Sequence, residues 1–272
     1  MNLTSKQTPL LTPSLALSLV LALGSLGSCA AVADKTEKKP ATWRNPHFTA
    51  AVFFDDRELG EIDFDDDLET ILGEGIKDVE RQRAGARVTI GSSNLSAYAQ
   101  IFGEEIDSFD STQLDPGSAV TIDDLFGFGL GVIGVPTLKR VSDGVRVVAP
   151  YRAGFNVVIG EGNFTDATGP TLLKSPTEEG DLAYLETEFS VGVGVNAHGF
   201  QPSFGLFLTS LAGIVDDEIV ADSDDDDLRF EGTNAGLFLE FAYIGTDVPL
   251  TAGVRGTVGD VQGLEAFFGV SL

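Results

Sequence analysis

The chain has 272 residues, 43% of them hydrophobic, with 32 glycines, one cysteine and a formal charge of −25. Such acidity lacks the basic footprint that nucleic acid requires and disfavours docking onto anionic lipid by charge alone. Cys29 has no second cysteine to pair with, so an intrachain disulfide is excluded.

Residues 1–33 read as a secretory signal: Lys6 in a short n-region, an apolar stretch ending near Leu26, then small residues. The apolar run is too short and broken for a transmembrane helix. Leu26-Gly27-Ser28-Cys29 resembles a bacterial lipobox, which would make Cys29 the lipid-modified first residue. Ala31-Val32-Ala33 resembles an ordinary signal-peptidase site, which would remove it. Both routes take the chain out of the cytoplasm. Residues 34–45 are polar, basic and proline-marked, and read as a periplasmic linker ahead of a single domain over 46–272.

From there, apolar and polar residues alternate with the period of a strand. The first strand sets Phe48, Ala50, Val52 and Phe54 on one face. The second opposes Ala84, Ala86, Val88 and Ile90 to Arg83, Gly85, Arg87 and Thr89. A third follows over 95–104, and a fourth alternates Phe126, Phe128, Leu130 and Val132 with glycines. The fifth, 145–160, carries Arg146, Arg152, Gly154 and Asn156 on its polar face. The sixth opposes Leu185, Phe189, Val191, Val193 and Val195 to Glu186, Glu188, Ser190 and Asn196. A seventh over 203–215 alternates less cleanly. The eighth, ninth and tenth place Glu240, Arg255 and Glu265 on their polar faces. The expected fold is all-β: an antiparallel closed barrel of about ten strands (8–10). One short amphipathic helix is expected in a long loop, from Leu68, Ile71, Leu72, Ile76 and Val79 within 66–83.

The connections alternate in length. Those at about 55–82, 104–124, 161–181 and 214–228 are long and acidic; those at about 91–94, 134–144, 197–202 and 244–247 are short, and the last, at about 259–263, breaks the pattern by being short as well. A transmembrane barrel with both termini on one side predicts this sorting, whereas a β-sandwich does not. In a bilayer the sheet must close, with apolar faces toward lipid and polar faces toward the lumen. Arg83, Arg87, Arg146, Arg152 and Arg255 would then point inward with Glu186, Glu188, Glu240 and Glu265 as a paired charge network. About ten strands leave a narrow bore, which suits a plugged lumen.

Signal, linker, alternating strands, loop parity and the terminal Phe268, Val270, Leu272 alternation together resemble a small bacterial outer-membrane β-barrel protein. The chain departs from that pattern in ending on Leu272 and in carrying 19 Phe against 4 Tyr and 1 Trp, where such barrels carry Tyr and Trp girdles. The resemblance implies the outer membrane as location, with outer-membrane lipid and the barrel-assembly machinery as partners of a monomer. It implies a structural or interaction role with exposed acidic loops. Two other readings stay open: a narrow channel or small-solute transporter, and a soluble, lipid-anchored periplasmic barrel holding a hydrophobic ligand.

No catalytic constellation is evident, and no enzyme is expected. His47 and His198 are the only histidines, and His198 lies in a short turn. Barrel enzymes of similar size place His with Asp or Ser near the outer rim, at the other end. Asp63, Asp65, Asp67 and Glu74 match four ligand positions of a calcium-binding loop, but Leu68 stands where its glycine belongs. Asp222, Asp224 and Asp226 form a second acidic run. Both are candidates for weak Ca²⁺ binding at most, with a solvated charge run as the plainer reading; no other cofactor is expected.

Overall fold

The computed structural model describes residues 47–60, 62–64, 76–92, 94–111, 120–166, 177–215, 228–245 and 249–271. The signal, Cys29 and the linker expected before residue 46 lie outside them. Among the described residues thirteen strands occur: β1 His47–Leu59, β2 Asp63–Phe64, β3 Ile76–Gly91, β4 Ser96–Ser111, β5 Val120–Gly134, β6 Thr137–Ser142, β7 Val145–Val148, β8 Tyr151–Asp166, β9 Thr177–Ala197, β10 Phe200–Val215, β11 Leu228–Ile244, β12 Leu250–Gly259 and β13 Gln262–Ser271.

Ten long strands, all but β2, β6 and β7, form a closed antiparallel barrel. Each pairs with its neighbours in chain order. Closure comes from β1, which pairs with β3 on one side (Phe53↔Gly85) and with β13 on the other (Phe53↔Phe267). A closed ladder leaves no unpaired edge among these ten, so their backbone groups are satisfied without water. Strand β2 adds a short pairing to β11, Phe64 opposite Phe230.

The period-2 pattern sets the two faces. Val52 and Phe204 are 61% exposed and Leu206 60%, all outward, while Arg81 and Glu186, inward, are 1% and 2% exposed. Large apolar side chains thus cover the outside and ionised ones the inside, the reverse of a water-soluble barrel. Inward glycines lie under rings: a Cβ on Gly127 would overlap the Phe102 ring, and one on Gly236 the Phe207 ring. Glycine therefore makes room mainly for aromatic rings here, not only for arginines.

Three expectations change. Strand β3 begins at Ile76, so residues 76–83 of the expected helix are strand; residues 65–75 lie outside the described set. Alternation prevails there because Val79, Arg81 and Arg83 share the buried face. The fifth expected strand is interrupted at Ala149-Pro150, proline having no N–H for the ladder. The short connection expected at 134–144 is largely a hairpin, β6–β7, that continues the pairing of β5 with β8 beyond Gly134↔Tyr151.

The connections sort by end. Tight turns sit at one end, including Ala197–Phe200, where His198 (φ 53°) and Gly199 (φ 90°) both take the left-handed conformation of a two-residue hairpin loop; the exception is the β12–β13 turn at Asp260–Val261, which lies at the other end beside Glu58. The strand ends that flank 65–75, 112–119, 167–176 and 216–227 lie at the other.

Candidate functional site: the barrel lumen

Inward alternation brings charged side chains from seven strands together. Asp55 and Arg57 come from β1, Arg81, Arg83 and Arg87 from β3, Glu104 from β4, Arg152 from β8, Glu186 and Glu188 from β9, Arg255 from β12 and Glu265 from β13. One node is Glu186. It accepts hydrogen bonds from Arg81 Nη1 at 2.9 Å, from Arg83 Nη1, and from Asn156 Nδ2 at 3.0 Å. Arg83 also binds Glu104 through Nε and donates to Tyr184 Oη at 2.8 Å, and Tyr184 in turn donates to Glu104.

A second node is Glu265, with Arg152 Nη1 at 2.7 Å, Arg87 Nη2 at 3.1 Å and Arg57 Nη2 at 3.6 Å. Glu188 lies 3.4 Å from Arg255, 3.7 Å from Arg57 and 3.8 Å from Arg152. Asp55 pairs with Arg57 at 2.6 Å and with Arg81 at 3.6 Å, linking the nodes. A neutral bridge runs from Arg87 Nε to Gln100 (2.8 Å) and from Gln100 to Asn156 (2.7 Å). Arg83 lies over Phe102 at 4.7 Å and Arg255 over Phe238 at 4.3 Å, so rings complete the shell of these guanidinium groups.

The charges have little water around them, so each depends on its partners. Pairing in low dielectric repays desolvation only when several hydrogen bonds converge, as at Glu186 and Glu265. Toward the end with the long connections the lining becomes apolar: Leu59, Ile62, Val79, Ile106, Ile122, Leu125, Val158, Leu182, Leu211 and Val261 are buried in one cluster. Toward the short-turn end a cavity of about 30 Å³ borders Pro150, Arg152, Ser190, Phe238, Glu240 and Arg255.

Of the residues expected in the lumen, Arg83, Arg87, Arg152, Glu186, Glu188, Arg255 and Glu265 meet in this network. Glu240 lies at the cavity, opposite Arg255 in register. Arg146 stands apart and exposed on β7, beyond the barrel rim, because the strand is interrupted at Pro150. Sequence reasoning missed Asp55, Arg57, Arg81, Glu104 and Tyr184. A signal existed: Asp55 and Arg57 continue the parity of Phe53, and Arg81 that of Arg83. Their acidic surroundings read as loop instead.

His198 lies in the short turn as expected, and its backbone N–H donates to Gly144 O at 3.0 Å. Among the described residues no group of three or more His, Cys, Asp or Glu is placed to hold a metal ion. Asp63 pairs through its backbone in β2; Asp65, Asp67, Glu74, Asp222, Asp224 and Asp226 lie outside the described residues.

No protein-family model and no curated protein matches the sequence. Solved structures similar in fold include the outer membrane protease OmpT from Escherichia coli, at 9% identity and TM-score 0.38, covering 87% of this chain and 97% of that one. The transport unit of the autotransporter AIDA-I from Escherichia coli is similar at 12% identity and TM-score 0.33, covering 91% and 97%. The beta domain of the Bordetella autotransporter Brka is similar at 11% identity and TM-score 0.30, covering 84% and 99%.

Proposed function

We propose that this chain is an outer-membrane β-barrel with a structural or interaction role, its lumen closed by side chains and its acidic connections facing outward. The observation that carries the reading is the inverted polarity of the barrel: an outer face of exposed Phe, Leu, Ile and Val around an interior of buried Arg, Glu and Asp. Such an outer face suits hydrocarbon and would aggregate in water. A soluble barrel with a hydrophobic ligand needs the opposite arrangement. The plug is supported by the density of pairing, with each of the six arginines in the network within 4 Å of a carboxylate, and by the apolar layer beside it. An enzymatic role finds no support in the two histidines, one at the start of β1 and one in a hairpin turn.

The test is the full chain folded into detergent or lipid. A closed membrane barrel shifts its electrophoretic migration on boiling and gives no steady single-channel current in planar bilayers. A monodisperse detergent-free protein after removal of residues 1–33 would overturn the membrane assignment. Large steady conductance would replace the plug with the channel reading.

A further inference from the structure

We infer that the short-turn mouth of the barrel carries a binding site for an oxyanion, a phosphate- or carboxylate-type group, centred on Arg140 and Arg146. Arg140 on β6 and Arg146 on β7 are direct cross-strand partners. Like charges opposite each other in an antiparallel ladder repel, and such pairs are normally destabilising. Neither has a carboxylate within 4 Å among the described residues, whereas each of the six arginines deeper in the lumen has one. The two guanidinium groups are therefore uncompensated among the described residues, in a chain whose overall charge is −25.

Register says which way the pair faces. Arg146 is opposite Asn196 on β9, and the Asn196 side chain meets that of Gln201 on β10. Asn196 has the parity of Glu186, Glu188 and Ser190, which point into the barrel. Arg140, Arg146, Asn196 and Gln201 thus form one transverse row on the lumen side of the wall, just beyond the rim. Val148, Ser203, Glu240 and Arg255 form the next row in. The row is held by the turns beneath it: His198 N–H donates to Gly144 O at 3.0 Å, and Asn196 Nδ2 donates to Gln201 Oε1 at 3.4 Å.

Two forked guanidinium groups side by side suit the geometry of a multivalent oxyanion, with the Asn196 amide as a neutral neighbour. Because the pair faces the barrel axis, the source is a soluble anion from the compartment on that side. A lipid headgroup would meet the opposite face, where Lys139 pairs with Val147. The inference uses the barrel geometry and not the membrane assignment, so its failure would leave that assignment intact.

The test is calorimetric titration of inorganic tripolyphosphate into the folded full chain in a neutral detergent at low salt. The comparison set is Arg140→Gln, Arg146→Gln, the double variant, and the controls Lys139→Gln and Arg229→Gln, the last two altering exposed cations off the row. Binding should fall about tenfold in each single row variant and vanish in the double, while each control changes it less than about twofold. All variants should keep the boiling-dependent migration, since the row lies outside the barrel. No binding by the unaltered chain, or equal weakening by Lys139→Gln, would overturn the site. Loss of bound phosphatidylglycerol from nanodiscs in the double variant, with tripolyphosphate binding unchanged, would overturn the soluble source.

Discussion

The middle of the barrel and its long-connection end are lined by the same strands, yet one holds six arginines and five carboxylates in contact and the other is apolar. Both fill the bore. The apolar layer gains from each side chain nearly independently, since burial is non-directional and scales with area. The charged belt works as a unit. Glu186 holds Arg81 and Arg83 together, and Glu265 holds Arg152 and Arg87. Losing one member leaves others buried and unpaired, so single deletions in the belt cost more than the pair contributes. An apolar layer stabilises a narrow barrel; a paired belt also selects register, because a one-residue slip would turn its charges toward the outer face.

The comparison breaks most sharply at Glu186. Replacing it with Ala removes the carboxylate that Arg81 and Arg83 share, leaving Arg81 only Asp55 at 3.6 Å and Arg83 only Glu104 as carboxylate partners, and should destabilise the folded chain by about 3–5 kcal/mol. Glu186→Gln keeps the volume and should lose most of the same amount, which denaturant unfolding in detergent would show. If Gln restored nearly full stability, packing and not charge would dominate the belt.

In the apolar layer, Leu182→Ala should cost about 2–4 kcal/mol through lost burial and the cavity left behind. A double variant of Leu182→Ala with Glu186→Gln should be close to additive if the two regions are independent, and strongly non-additive if they form one network. Equilibrium unfolding of the three variants decides this.

The outer face gives a third contrast. Phe155→Arg, on the outward side of β8 and 38% exposed, should cost about 2–4 kcal/mol if it meets the bilayer midplane. Phe48→Arg, at the start of β1 near the short-turn rim, should cost about 0–1 kcal/mol. Equal costs would argue against a bilayer around this barrel. The smallest effect belongs to the β6–β7 hairpin: Lys139→Gln, exposed beyond the rim, should change stability by less than about 0.5 kcal/mol.

The alternation by itself determined the fold class, a count of about ten long strands, which face of each turns inward and which connections are short, apart from the one at 134–144 that forms the β6–β7 hairpin. Strand periodicity and turn residues are local, so they are legible one segment at a time. What only the tertiary structure decided was how far each strand runs and who pairs with whom. Asp55, Arg57, Arg81 and Glu104 sit in acidic sequence that reads as loop, yet they are strand because neighbouring strands continue to pair with them. Arg146 shares the parity of Arg152, but a proline between them and the end of the barrel wall leave it outside the belt. Arg81 and Glu186 are 105 residues apart, a contact that exists only after the barrel closes. Partners across a lumen are set by closure and register, and no local pattern carries either.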